Sequence, residues 1–397
     1  MKTVDQFNFS GKRVVMRVDF NVPLNDNNEV TDLTRIKAAV PTIQKVLRDG
    51  GSVVLMSHLG RPKSGSEERF SLKHTLPSLE QLLKTKVFFA NDCISDESFT
   101  ISAQLKPGEI LLLENLRFYK EEEKGEENFS KQLSKHGNFY INDAFGTAHR
   151  AHASTTIIAK FFNQNEKCLG YVMASEVESI NKVLTKAEKP FTAIVGGAKV
   201  SDKILIIEQL MNKANNIIIG GGMAFTFIKA QGGNIGNSIC ELDKVETASN
   251  LISKAKEKGI ELHLPVDSIV ADKFSNDANL KIAAINKIED GWMGLDIGPE
   301  TEKKYTALIK KSKTILWNGP MGVFEMSNFE SGTRSVALAI AESTELGAYS
   351  LIGGGDSVAA INKYHLAEKV SYVSTGGGAL LEYIEQGSLP GVFAIEN

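Results

Sequence analysis

The sequence predicts an α/β fold with two blocks of buried parallel sheet. Three observations carry this. Short apolar, β-branched runs recur along the chain and alternate with amphipathic stretches, the pattern of strands linked by crossover helices. The chain has 397 residues, beyond the roughly 250–300 at which a single hydrophobic core stops growing. One helix-like segment, residues 173–190, stands between blocks of similar size.

The elements follow in order. In the first half the strand-like runs are residues 13–18 (RVVMRV), 52–56 (SVVLM), 109–113 (EILLL) and 138–141 (NFYI). Residues 32–48 read as a helix with Ile36, Val40, Ile43 and Leu47 on its apolar stripe. Residues 173–190 (MASEVESINKVLTKAEKP) read as one helix, with Val177, Ile180 and Leu184 as its stripe and Lys189-Pro190 as its stop. In the second half the runs are 191–195 (FTAIV), 216–219 (NIII), 314–317 (TILW), 349–352 (YSLI) and 371–373 (SYV). The acidic run 121–127 (EEEKGEE) reads as a solvated loop or helix start.

Composition narrows the classes. Apolar residues are 42% and charged residues 23%, which excludes a mainly disordered chain. Lys and Arg number 45 against 48 Asp and Glu, a net charge of −3, without the basic excess of a general nucleic-acid binder. Cys93, Cys168 and Cys240 are sparse and far apart. They form neither a disulfide framework nor a zinc site and point to a reducing compartment. No secretory segment opens the chain and no run of about 18 apolar residues is present, so no membrane span is expected.

Ligands of open α/β sheets bind beyond the carboxyl ends of the strands. In the first half those positions hold Asp19 and Asn21, then His58, Gly60 and Arg61, then Glu114 and Arg117, then Asp143, His149, Arg150 and His152. Arg35 lies in the first turns of the following helix. Arginine grips carboxylate and phosphate in two places, so Arg35, Arg61, Arg117 and Arg150 with His58 would enclose a small polyanion. Any one alone reads as a solvated surface residue. His149 and His152 read as structural rather than metal-binding.

In the second half glycine clusters follow the strands at 196–197, 220–222, 353–355 and 376–378. Glycine admits a ligand close to backbone, and a helix start beyond it offers N–H groups to phosphate. No Walker-type P-loop and no G-x-G-x-x-G is present. Asp356 beside Gly355 is either the anchor of a Mg²⁺ carried by nucleotide phosphates or a helix N-cap. Lys199 and Lys203, four apart, share one face if that stretch is helical. They are either point charges for a moving phosphoryl group or solvated lysines.

Together the motifs resemble phosphoglycerate kinases. RVDFNVP, SHLGRP, ENLRF, NDAFGTAHRAH, GGAKVSDK, IIGGGMAFTF, GWMGLDIGP, WNGPMGVFE, IGGGDS and STGGGA stand in that family's order over nearly the whole chain. The resemblance implies an α/β fold of two doubly wound parallel-sheet lobes joined by a hinge helix. It places an N-terminal phosphoglycerate lobe at 1–170, joined by a tail from about 380 to 397. A linker helix would follow at 171–190 and a nucleotide lobe at 191–379. It implies reversible transfer of the acyl phosphate of 1,3-bisphosphoglycerate to MgADP, giving 3-phosphoglycerate and MgATP. By the same resemblance Asp19 and Asn21 hold the substrate's hydroxyl and carboxyl end, and His58, Arg61, Arg117 and Arg150 its phosphate. Arg35 steadies the transferring group. Lys199 and Lys203 meet the nucleotide phosphates, Gly294 lines the adenine pocket and Glu325 bonds the ribose. Gly354, Gly355, Asp356 and Ser357 cradle phosphates and Mg²⁺. A cytoplasmic monomer with no nucleic-acid or membrane partner is expected. Leu116 and the acidic 119–127 stretch depart from the family's usual residues, and Ser357 stands where Thr also occurs.

The chemistry agrees. The acceptor is a carboxylate already ionised at pH 7, so no general base is needed, and positioning with charge neutralisation carries the reaction. The acyl phosphate calls for closure that excludes water, with glycines 376–378 and the chain near Gly170 as candidate hinges. Two alternatives remain at this point. A nicotinamide-dependent dehydrogenase conflicts with the missing G-x-G-x-x-G. A non-catalytic hinged binding protein for a phosphorylated metabolite would leave Lys199, Lys203 and Asp356 without a role.

Overall fold

Six strands of the first half form one parallel sheet: β1 (Arg13–Arg17), β2 (Ser52–Met56), β3 (Val87–Ala90), β4 (Ile110–Leu113), β5 (Phe139–Asn142) and β6 (Lys167–Leu169). Their order is β3-β4-β2-β1-β5-β6. The central strands are buried on both faces, so they read as unbroken apolar runs rather than as alternation. These coordinates are a computed structural model that describes residues 1–63 and 65–397. The chain divides into two units, residues 1–178 with 386–397, and residues 179–385.

The first unit's helices are α1 (Thr34–Arg48), α2 (Leu76–Leu83), α3 (Asp96–Gln104), α4 (Lys120–Lys124) and α5 (Glu127–Ser134). The Asp32 side chain accepts from the Thr34 backbone N–H at 2.8 Å, and α1 starts there, two residues later than the sequence suggests. Its buried stripe is Ile36, Ala39, Ile43 and Val46, rotated from the expected one, and it packs into a core with Val14, Met16, Val53 and Leu55. Helix α6 (Tyr171–Thr185) carries the chain from one unit to the other. It ends at Thr185, five residues before the Pro190 that the sequence reading takes as its stop.

The second unit repeats the plan. Strands β7 (Phe191–Val195), β8 (Asn216–Ile219), β9 (Asn234–Ile235), β10 (Glu261–His263) and β11 (Asp267–Ala271) come first. They are followed by β12 (Leu280–Ala284), β13 (Lys287–Ile288), β14 (Met293–Ile297), β15 (Thr314–Asn318), β16 (Tyr349–Ile352) and β17 (Tyr372–Val373). The main parallel sheet runs β10-β8-β7-β15-β16-β17, with β12-β11-β14 as a small antiparallel sheet beside it in sequence and β13 paired with β9. Its helices are α7 (Ile204–Leu210), α8 (Met223–Ala230), α9 (Val245–Glu257), α10 (Pro299–Ile309), α11 (Ser331–Glu345), α12 (Gly355–Lys363) and α13 (Gly378–Gln386). Helix α14 (Pro390–Glu396) returns to the first unit, where Gly391 N donates to Ala148 O at 2.8 Å and Lys167 Nζ to Ala394 O at 2.9 Å. In each main sheet the winding reverses beside the first strand of its unit, between β1 and β5 and between β7 and β15. Such switch points are where sheets of this kind hold ligands.

Aspartates at strand ends cap distant helices. Asp143 Oδ1 accepts from the N–H groups of Val172 (2.8 Å) and Met173 (3.2 Å) at the start of α6. Asp267 does the same for Glu300 and Thr301 in α10, and Asp296 for Gly332 in α11. Burial raises the Asp143 carboxyl to about 7, against the donors from Thr42, Met173 and Val172, which lower it. An acid raised in the fold binds its proton more tightly there than in the unfolded chain. Its contribution is therefore fully present below about pH 4 and lost as pH rises through about 7. Asp143→Asn keeps a neutral acceptor for α6. It should gain stability relative to the unsubstituted chain as pH rises from about 4.5 to 7 and hold a constant difference above that. Melting temperatures measured in parallel check this, and a difference that does not vary with pH would contradict it.

Candidate functional site

Four neighbouring strands of the first unit, β4, β2, β1 and β5, end side by side. The loops that follow them carry the residues singled out above, and they are laced together. Asn21 Oδ1 accepts from Gly60 N at 2.8 Å, and Ser57 Oγ accepts from Phe20 N at 2.8 Å, tying the loop after β1 to that after β2. Asn115 accepts from Leu59 N and donates to Leu59 O and Phe70 O, tying in the loop after β4. Arg35 Nη1 meets Asp19 Oδ2 at 2.8 Å, and Arg117 Nη1 donates to Gly60 O at 2.8 Å. Arg61 and Arg150 are exposed.

These side chains feel one another. His58 is buried, and desolvation, then Arg17, Arg117, Arg35 and His152, hold its ring well below the ordinary imidazole value. Burial, then Arg17, Arg117, Arg150 and His149, bring His152 down to about 4. Burial is also the first cause of the lowered Arg117, with Arg17 and Arg61 acting the same way and Glu123 opposing. Cations crowded this way favour an anion of more than one charge. His152 therefore lies close enough to the cations of this edge to feel them.

In the second unit the loops after β7, β8, β15 and β16 surround a cavity of about 440 Å³. Its walls include Phe225, Ile239, Gly294 and Pro320, together with the carboxylates Asp296, Glu325 and Asp356. Gly294 is required by packing: a Cβ there would stand 2.1 Å from Phe225 Cζ and 2.7 Å from Ser268 Oγ. The loop of Glu325 is held from behind by Lys363, which donates to Phe324 O at 2.7 Å and pairs with Glu330 at 2.6 Å. Gly354 has φ +89°, and a Cβ on it would meet Asn318 Nδ2 at 2.6 Å. It occupies the N-cap of α12, so Gly355 and Asp356 are the first two helical residues and the N-cap reading of Asp356 is set aside. Among the described residues no group of three or more His, Cys, Asp or Glu is placed to hold a metal ion.

Lys203 donates to Asn318 Oδ1, and Asn318 Nδ2 donates to Gly353 O at 2.8 Å, so one amide aligns the lysine with the glycine loop. Burial lowers the Lys203 ammonium, opposed by Asp202, Asp356 and Glu385. Residues 197–203 are non-helical, with a turn at 201–203, and α7 starts only at Ile204, so Lys199 and Lys203 do not share a helical face. Lys199 is exposed. Glu241 pins the turn between them, accepting from Ser201 N at 3.0 Å and Ser201 Oγ at 2.6 Å.

The sequence matches the model of the family described as phosphoglycerate kinase over residues 4–387. The phosphoglycerate kinase of Porphyromonas gingivalis is 52% identical, with 99% of this chain and 100% of that protein covered. That of Chloroherpeton thalassium is also 52% identical, covering 100% and 99%. The chain belongs to the phosphoglycerate kinase family. Among solved structures, phosphoglycerate kinase from Coxiella burnetii superposes with a TM-score of 0.92 at 41% identity, covering 99% of this chain and 98% of that one. The Pyrococcus horikoshii enzyme gives 0.83 at 31% identity, covering 100% and 98%. The two parallel-sheet α/β units are the fold of phosphoglycerate kinases.

In this phosphoglycerate kinase family member the buried Ser357 hydroxyl accepts from Gly319 N at 2.6 Å, which ties α12 to the loop after β15. One feature differs from the sequence expectation. Glu122, inside the acidic run read as solvated, is 1% exposed and binds Ser154. Arg17 and Asn318 were missed altogether. An arginine within an apolar strand is the signal that would have found Arg17, since such a charge is buried only with partners.

Proposed function

We propose that this chain moves the acyl phosphate of 1,3-bisphosphoglycerate to MgADP, and back, with the first unit holding the phosphoglycerate and the second the nucleotide. The activity is that of the family, a phosphotransferase of glycolysis acting on a carboxyl group. The observation that supports the division of roles is the split itself. Cations converge at four adjacent strand ends in one unit, and an apolar cavity that glycines and carboxylates also line lies in the other. Arg35, Arg61, Arg117, Arg150 and His58 bind the phosphoglycerate with Asp19 and Asn21. Gly294 lines the base pocket, Glu325 bonds the ribose, and Gly354, Gly355 and Ser357 present backbone to the phosphates.

Magnesium fits as part of the nucleotide substrate. The Asp356 carboxylate has no protein hydrogen bond or ion pair among the described residues, and it stands at a helix start where bound nucleotide phosphates would otherwise repel it. Mg²⁺ is commonly bound by one or two carboxylates plus substrate phosphates, which needs no protein cage. Lys199, Lys203 and Arg35 neutralise the transferring group, and the carboxylate acceptor is already ionised, so no residue has to take a proton. As for location, no helix is long and apolar enough to cross a membrane among the described residues. Relatives of both cytosolic and chloroplastic name match, such as the cytosolic enzyme of Nicotiana tabacum at 50% identity over 100% of this chain and 98% of that one. We place this chain with the cytosolic ones, as its cysteines suggest.

A coupled assay of ATP formation from 1,3-bisphosphoglycerate and MgADP tests the activity; no ATP would refute it. Calorimetry tests the division. Arg150→Ala should weaken 3-phosphoglycerate about tenfold with little change for ADP, and Glu325→Ala should do the reverse, as loss of one charge-assisted hydrogen bond predicts. Equal losses for both ligands in both variants would contradict separate sites.

A further inference from the structure

Arg17 lies at the end of β1 and is 1% exposed, yet no step of the reaction uses it. Each of its three guanidinium nitrogens has a partner. Nε donates to Ser154 Oγ at 2.8 Å, Nη1 to Val18 O, and Nη2 lies 3.1 Å from His58 Nδ1. Behind it, Ser154 donates to Glu122, from Oγ at 2.6 Å and from N at 3.0 Å. Glu122, Ser154, Arg17 and His58 are all buried, so a single hydrogen-bonded chain runs from α4 to the edge where the cations gather.

The direction of that chain has a chemical consequence. A guanidinium has five donors and no acceptor, and it does not lose its proton in proteins. Its contact with Nδ1 is a hydrogen bond only if Nδ1 is the acceptor and carries no proton. The neutral ring's one proton is then on Nε2. We propose that Arg17 is a positioning residue that locks His58 as the neutral Nε2–H tautomer, so that the ring offers the phosphoglycerate one fixed donor whatever the pH. Glu122 and Ser154 hold Arg17 in that pose. Glu122 supplies the buried countercharge without which the guanidinium would be costly. Protonating Nδ1 would set an N–H against the guanidinium. The other groups acting on the ring oppose it too: Arg35 from α1, Arg117 after β4 and His152 after β5. A protonated histidine would attract the anion more strongly, but only at low pH. The locked form keeps binding constant across the neutral range.

This inference rests on the reading of His58 as a phosphoglycerate-binding residue, but its first test needs no turnover. Full-length protein labelled with ¹⁵N in histidine gives two-bond nitrogen–hydrogen spectra that report the tautomer directly, with His58→Gln assigning the signal. From about pH 5.5 to 8.5, spanning the ordinary imidazole value, His58 should show the Nε2–H pattern alone and no titration. An Nδ1–H pattern, or a midpoint between about 6 and 8, would overturn the proposal. Arg17→Met removes the donor that holds Nδ1 unprotonated, so an Nδ1–H pattern should appear beside the Nε2–H one, while burial and the remaining cations still keep the ring neutral. The substitution should also raise KM for 3-phosphoglycerate about tenfold at pH 8 with KM for ADP unchanged. A folded variant that kept the Nε2–H pattern alone, or an unchanged KM for 3-phosphoglycerate, would also count against the lock. Should that variant fail to fold, the spectrum of the unsubstituted protein still decides. A protein that makes no ATP yet shows the tautomer would refute the activity and leave the lock standing.

Discussion

Replacing Asp356 with alanine should lower turnover by about 10²–10³-fold, the usual cost of removing one preorganised group that stabilises developing charge. The carboxylate is the second residue of α12 and lines the cavity proposed to hold the nucleotide. Without a cation between them it and nucleotide phosphates would repel each other, which is the ground for assigning it to Mg²⁺ carried in by the substrate. The fold should survive. A carboxylate near a helix start contributes about 0.3–1 kcal/mol, a small part of the roughly 5–15 kcal/mol that holds a protein folded. The measurement is kcat against Mg²⁺ concentration, with the melting temperature as control. Near-normal, Mg²⁺-dependent turnover in the variant would mean that Asp356 serves the helix and not the metal.

How far the fold was legible depended on where each strand lies. The nine runs read from the sequence all became strands, because most are central, buried on both faces and therefore continuously apolar. The edge strands β3, β6 and β10 escaped notice. β3 buries only its end residues Val87 and Ala90 and leaves Phe88 exposed and Phe89 half-buried, and β10 and β6 are three residues long. The antiparallel β11, β12 and β14 were invisible for a different reason. β12 puts Leu280 and Ile282 in solvent, at 41% and 61% exposure, which reverses the usual sign of apolar patterning. A register shift between Ile269 and Val270 further blurs the period of β11.

In the site, residues at strand ends were legible and the residues that hold them were not. Arg35, Arg117 and His58 follow strands in sequence, and the strand order then places them together. Asn115 follows β4 and Asn318 ends β15, but an amide that bonds only backbone or another side chain has no distinctive sequence pattern. Glu122 was hidden by its neighbours: Glu121 and Glu123 are exposed, and only packing against Ser154 separates the one between them. The shared helical face of Lys199 and Lys203 failed because spacing alone cannot say where a helix begins. The turn pinned by Glu241 delays α7 to Ile204.

That distinction between the two lysines sets the last expectation. Lys203→Met should cost about 10²–10³-fold in kcat, with ADP affinity changed less than threefold, whereas Lys199→Met should act mainly on ADP binding. Lys203 is half-buried and its ammonium is aimed by Asn318, the residue that also bonds the carbonyl of Gly353 ahead of α12. A cation fixed in place before the nucleotide arrives needs no reorganisation as charge develops on the moving phosphoryl group, so its effect falls on the transition state. Lys199 is exposed on a non-helical segment, must be ordered by the ligand, and so contributes to binding and transition state alike. Methionine keeps most of the apolar stem of Lys203 and removes the charge, which limits the change in packing. Single-turnover kinetics beside ADP calorimetry separate the two effects. If both variants lost affinity and rate in the same proportion, the fixed position of Lys203 would carry no catalytic advantage. Asn318→Ala offers the matching control: freeing the ammonium should reproduce part of the Lys203→Met loss in kcat, and a variant with full turnover would show that the amide does not position it.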